Sequence, residues 1–165
     1  MQFTIGDKVV HPHYGPGRIT DIASRDLVDG TTQYYVIEIT GQGLTVYVPV
    51  LKAGEAGMRF AMSESRLARV LSMLRGRPRP LPEGFHERQE QMSARLRTGR
   101  VTQLATLVRD LTWHQKRAHL TKKDSDHLRQ GLERLAAEMA LVSGDTIRDT
   151  IKLIDAVLTA ATQPS

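Results

Sequence analysis

Two histidines one residue apart, His11 and His13, are the most metal-like pair in this 165-residue chain. On a strand, positions two apart share a face, so both imidazoles could meet one ion. Zinc sites ordinarily take three protein ligands or more, no third ligand lies nearby in sequence, and Pro12 sets the pair in a turn. No metal site is therefore expected. His114, His119 and His127 follow at spacings of five and eight, and five does not keep two side chains on one helical face; they read as surface or linker residues. Gly15-x-Gly17 is too short for a dinucleotide fingerprint and precedes a strand rather than a helix. Asp124-Ser125-Asp126 lacks the glycine and the distal glutamate of a calcium loop. No nucleophile elbow, phosphate loop or kinase loop occurs. Cysteine is absent, which removes thiol nucleophiles, thiolate metal sites and disulfides together. The residues point away from an enzyme and away from a cofactor.

Aromatic residues are scarce, with three Phe and one Trp. Phe85 falls where a Pro-rich linker meets a helix, beside His86 and Arg88, a position that suits either packing at a helix start or an exposed apolar wedge set among arginines. Trp113 sits within an amphipathic helix and reads as a bundle residue. The charge is uneven. The net of +5 comes mostly from residues 75–100, which hold seven Arg against Glu83, Glu87 and Glu90; residues 1–74 are neutral and residues 101–165 carry +1. A concentrated basic stretch attracts polyanions, nucleic acid foremost.

Two periods divide the chain. Lys8-Val9-Val10 is a short strand running into the turn His11–Gly17, and Arg18–Arg25, Thr32–Ile39 and Leu44–Pro49 are further strands, with Asp29-Gly30 as a hairpin signal. Leu44, Val46 and Val48 share one face, Thr45 and Tyr47 the other, and the closing Pro49 suits an edge strand. Four short strands at hairpin spacing predict a small, strongly bent sheet or SH3-like barrel. After Gly57 the period becomes helical. Ser63 is the predicted N-cap of a helix bearing Leu67, Val70, Leu71 and Leu74, ended by Gly76 as a C′ glycine and Pro78. Arg77–Gly84, with three prolines, is a stiff linker. Helices follow over about 85–97, stopping at Gly99, and about 101–118. A fourth opens at the Thr121/Asp124 capping box and a fifth is capped by Asp145. The expected fold class is α+β, a small β domain over residues 1–58 followed by an all-α bundle over 59–165. The opening MQFTIGDKVV has no signal-peptide character and no apolar run reaches about 18 residues, so a soluble cytoplasmic protein without membrane contact is expected.

Three segments, Ile5–Gly17, Leu44–Pro49 and Leu107-Val108-Arg109-Asp110-Leu111, resemble the CarD/CdnL family of bacterial transcription factors. The resemblance covers residues of about 1–160, and the G-D-x-V-V-x-P-x-x-G opening with T-V-x-V-P about thirty residues on carries most of its specificity. It implies a Tudor-like N-terminal domain that binds the RNA polymerase β subunit through its last strand. Here that maps to Arg25 and Leu27 and to Val46, Tyr47, Val48 and Pro49. It also implies a helical domain that contacts promoter DNA at the upstream edge of the melted bubble, where an aromatic wedge enters the minor groove. The matching residue is Phe85, standing where the family carries tryptophan. Tyr47 stands where members often carry Arg, and Glu90 where they carry a basic residue. Arg88, with Arg79, Arg95 and Arg97, would contact phosphates without reading sequence. The implied protein is a monomer that stabilises the open complex and needs no cofactor and no metal. An RNA-binding module of a translation or elongation factor is the alternative, since SH3-like barrels opening G-D-x-V occur there too; the zero net charge of residues 1–74 counts against it.

Overall fold

In the computed structural model, residues 2–27 and 30–162 are described. The chain is α+β, with an antiparallel five-stranded sheet preceding five helices. The strands are β1 (Lys8–His11), β2 (Gly15–Leu27), β3 (Gly30–Ile39), β4 (Leu44–Pro49) and β5 (Arg59–Phe60), in the order β4-β3-β2-β1-β5. A single turn of 3₁₀ helix, Val50–Lys52, follows β4. The helices are α1 (Glu64–Arg75), α2 (Phe85–Thr98), α3 (Val101–Arg117), α4 (Lys122–Ser143) and α5 (Ile147–Thr162).

The chain packs as two units, Met1–Met62 with Ala137–Thr146, and Ser63–Ala136 with Ile147–Ser165. The division expected at residues 58 and 59 is thus not the division of packing, because the last turns of α4 belong to the β unit. Glu138 on those turns is buried and receives Arg59 Nη2 at 2.7 Å, Arg59 Nη1 at 3.0 Å and the Met62 N–H at 2.9 Å. Lys8 Nζ adds a bond to the Val142 carbonyl at 3.4 Å.

Within the β unit, β2 is long enough at 13 residues to pair with both β1 and β3, and a register shift between Ile19 and Asp21 bends it. Phe3, Val9, Ile19, Tyr35, Ile37, Ile39, Val46 and Val48 fill its core. The Tyr35 hydroxyl accepts the Phe3 N–H at 3.1 Å, so the largest core ring has its polar tip satisfied. Gly17 lies where a Cβ would stand 2.6 Å from the Glu38 carbonyl oxygen, so only glycine lets β2 and β3 approach there. The strand β5 was not expected. Two residues are too few to show a period, and their pairing (Val9 with Phe60, Val10 with Arg59) is a tertiary event. Of the Asp29-Gly30 hairpin signal, Asp29 lies outside the described residues; Leu27 pairs with Gly30.

In the helical unit, Ser63 caps α1 as expected, its Oγ accepting from Arg66 N at 3.2 Å. Gly99 ends α2 in the left-handed region at φ 63°, the conformation that favours glycine. Gly76 ends α1 differently. Its φ of −68° is open to any residue, so left-handed freedom is not its role. A Cβ there would stand 3.1 Å from the Met73 carbonyl oxygen, and Arg109 lies just beyond. The fifth helix begins at Ile147, two residues after Asp145.

Candidate functional site

Two surfaces carry the residues singled out from the sequence, one in each unit. In the β unit, β4 pairs only with β3 and is an edge of the sheet, as its closing proline suggests. An edge strand leaves a row of backbone N–H and C=O groups open to a partner strand. Tyr47 is 45% exposed, and the Arg25 guanidinium lies 4.2 Å from the centre of its ring, a cation–π contact reaching across β3. Val46 and Val48 are buried. Both point into the core, so at these positions only the backbone is available to a partner. Pro49 is half-buried, and Leu27 closes β2. Leu51, two residues past the strand, is 92% exposed, and no periodicity marks it because it sits in an isolated helical turn.

The helical unit builds its surface around two fully buried carboxylates. Asp110 of α3 accepts the Arg79 backbone N–H and Arg109 Nε on Oδ1 at 3.0 and 2.9 Å, and Arg95 Nη1 on Oδ2 at 3.0 Å. Asp124 of α4 accepts Arg88 through a two-pronged pair, Nε to Oδ1 at 2.9 Å and Nη2 to Oδ2 at 3.0 Å. The same Arg88 donates Nη1 to the carbonyls of Pro82 and Glu83, each at 3.1 Å. Gln89 Nε2 reaches Asp124 Oδ1 at 2.8 Å, while the Thr121 N–H and hydroxyl reach Oδ2 at 3.0 and 2.9 Å. Thr121 Oγ1 in return accepts the Asp124 N–H at 3.1 Å, which is the expected capping box, with the aspartate also gripping α2. Burial alone would raise the Asp124 carboxyl, but the bonds from Arg88, Thr121 and Gln89 together outweigh it and hold the group well below the usual carboxylate range.

The consequence is a Pro-rich segment stapled at both ends, at Arg79 by Asp110 and at Pro82-Glu83 by Arg88, with Leu81 buried between them. Phe85 emerges from this segment as the first residue of α2. It is 42% exposed, and its ring meets that of His86 edge-on at 5.5 Å between centres. The ring thus keeps a large apolar face in water at the end of the stapled segment.

The arginines divide. Arg88 is only 5% exposed and its donors are taken up inside the unit, which corrects the expectation of a phosphate contact; a buried, paired guanidinium is a brace. Arg95 likewise spends Nη1 on Asp110. Arg79 is exposed on the stapled segment. Arg97 is exposed near the far end of α2, about 18 Å along the axis from Phe85 at 1.5 Å per residue. Sequence reading missed Lys122 and Lys123. Both are exposed on the first turn of α4, and Asp124 ties that turn to the first turn of α2. Cations at a helix N-terminus oppose the helix dipole, a placement local stability does not favour. That adverse placement is the signal in the sequence that could have found them.

His127 also departs from expectation. Rather than lying on the surface it is buried, with Nε2 3.4 Å from Ser93 Oγ and Nδ1 without a partner. Burial, then the Lys123 ammonium, lowers it below the ordinary imidazole range against the opposing pull of Asp124 and Asp126. Trp113 is half-buried with the Arg117 guanidinium 4.5 Å from its ring centre, so it borders the bundle rather than filling it. His11 uses Nδ1 to accept the N–H groups of His13 and Tyr14 at 3.1 and 3.2 Å, making it a turn residue. Among the described residues no group of three or more His, Asp or Glu is placed to hold a metal, and no helix is long and apolar enough to cross a membrane.

The β unit thus leaves β4 as an open sheet edge, and the helical unit displays the half-exposed Phe85 ring at the start of α2. The CarD-like/TRCF RID domain matches residues 3–61, and the CarD C-terminal domain matches residues 69–155. The chain belongs to the CarD family of transcription factors. It is 27% identical over 146 residues to the Bacillus subtilis protein YdeB, whose name assigns it provisionally as a transcription factor; the match spans 87% of this chain and 94% of that one.

Proposed function

We propose that the chain regulates transcription initiation without catalysis, its β unit docking on the β subunit of bacterial RNA polymerase and its helical unit propping open promoter DNA. The open edge of β4, flanked by the Arg25–Tyr47 pair, supports docking by strand addition. Backbone bonds would supply attachment there, with Tyr47 as the side-chain contact. Docking raises the local concentration of a DNA module too weak to act alone.

One observation carries the DNA reading: Phe85 stands half-exposed at the end of a segment fixed by two buried carboxylates. A ring held in this way can enter an opened base step at the upstream bubble edge, from the minor groove, and hinder reclosure. Arg79, with Lys122 and Lys123, supplies cations for phosphate contacts that do not read sequence. If the module binds open DNA about 1.4 kcal/mol better than closed, the open fraction rises tenfold relative to closed.

The test is open-complex lifetime on a supercoiled promoter with purified polymerase and the full chain. Phe85→Ala shortens the lifetime by about tenfold, the lower range for loss of an aromatic stack, while capture of the β subunit is unchanged. Tyr47→Glu does the reverse, weakening capture while circular dichroism remains unaltered. A Phe85→Ala protein that protects the open complex as well as the parent refutes the wedge.

A further inference from the structure

The direction in which Phe85 leaves the fold is set from behind. Arg88 lies one turn along α2 and donates four hydrogen bonds, two into Asp124 and one each to the carbonyls of Pro82 and Glu83. Those carbonyls belong to the two residues just before Gly84-Phe85. Gly84, the N-cap of α2, offers no side-chain cap, and a Cβ built on it would touch nothing within 4 Å. Its carbonyl accepts the first helical bond, from the Arg88 N–H at 3.0 Å. The junction is therefore open on its outer side, and what fixes its path is the guanidinium beneath. Asp124 fixes the guanidinium in turn, and is itself held by Thr121 and Gln89. Lysine could supply the charge at position 88 but not a planar fork that meets a carboxylate and two carbonyls together.

We propose that Arg88, anchored by Asp124, is a positioning residue for Phe85, keeping the ring turned outward in the free protein so that none of this order has to be created on DNA. Preorganisation of this kind lowers the cost of binding without adding a contact to the ligand. The inference rests on the reading of Phe85 as the wedge, and two readouts separate their fates. The first needs no DNA. The chain contains three phenylalanines, Phe3, Phe60 and Phe85, so uniform 4-fluorophenylalanine labelling gives three fluorine resonances, with Phe85 assigned by its loss in Phe85→Leu. Arg88→Lys narrows and shifts the Phe85 resonance as the ring gains freedom, and leaves the Phe3 and Phe60 resonances in place.

The second readout is open-complex lifetime with the full chain. If the brace withholds about one residue's worth of backbone freedom, its loss shortens the lifetime by about tenfold. The same substitution has no further effect in a Phe85→Ala background, a coupling that general loss of structure would not produce. Should Arg88→Lys fail to fold, Thr121→Val loosens Asp124 from its other side and gives the same changes with smaller amplitude. An unmoved Phe85 resonance in the folded variant overturns the proposal, as does a lifetime effect that persists without Phe85. If Phe85→Ala itself leaves the lifetime unchanged, the wedge is refuted, while the fluorine spectrum still decides the brace.

Discussion

Asp110→Asn tests the stapled architecture directly. The parent carboxylate is fully buried and takes three donors, two of them from guanidiniums whose side chains are themselves only 19% and 10% exposed. Asparagine preserves the shape and one acceptor oxygen but removes the negative charge, leaving Arg95 and Arg109 uncompensated. Breaking a buried pair by removing one partner costs about 3–5 kcal/mol; the retained carbonyl places this substitution near the lower end, about 3 kcal/mol. Trp113, the single tryptophan, lies on the same helix three residues further on, so urea unfolding followed by its fluorescence reports on this unit. The control is Asp126→Asn, whose partner Arg129 is 3.6 Å away with both side chains well exposed, and whose loss shifts stability by less than about 0.5 kcal/mol. If Asp110→Asn unfolds within about 1 kcal/mol of the parent, the carboxylate is not the anchor of the segment's Arg79 end.

Two further outcomes follow from the same physics. His127 takes up a proton less readily in the fold than the ordinary 6.5, so near and below that pH the unfolded chain binds more protons than the folded one; stability falls as pH drops through 6.5, and His127→Gln flattens that part of the profile in urea titrations read by Trp113. Asp124 has the depressed value of a paired carboxylate, so its contribution is present above about pH 4 and is lost as pH falls further, which Asp124→Asn removes from the acid limb of the same titration. In the β unit, Gly17→Ala forces a methyl against the Glu38 carbonyl at 2.6 Å and costs about 1–3 kcal/mol in thermal unfolding monitored by circular dichroism; an unchanged midpoint would show that β2 and β3 separate without strain.

The architecture was legible because each half obeys one period. Alternation put Val46 and Val48 on one face and Tyr47 on the other, the faces that prove buried and exposed, and Pro49 suited the edge strand that β4 is. Capping chemistry was local enough to read at Ser63 and at Thr121/Asp124. What sequence could not resolve was the destination of charge. Arg79 and Arg88 look alike along the chain, yet one projects into water and the other is sealed against Asp124, 36 residues away. The distinction depends on which carboxylates fold back to meet which guanidiniums, and no spacing rule encodes that. His127 was misjudged for the same reason, because its covering residue, Ser93, comes from another helix. Phe85 stood out on its linker and its helix start, but position alone left packing and exposure both open, and only the folded chain leaves the ring 42% exposed.

Glu138 has a practical bearing on how the chain can be divided. A fragment ending at Met62 would keep Arg59 and the Met62 amide but lose the carboxylate on which both rest, along with the Val142 carbonyl that Lys8 reaches. Such a piece leaves the Met62 amide without its buried acceptor and Arg59 without its carboxylate, and is expected to be less stable than the same residues in the whole chain. Grafting residues 137–146 back through a short artificial linker should restore that stability, because the β unit is assembled from two stretches far apart along the chain.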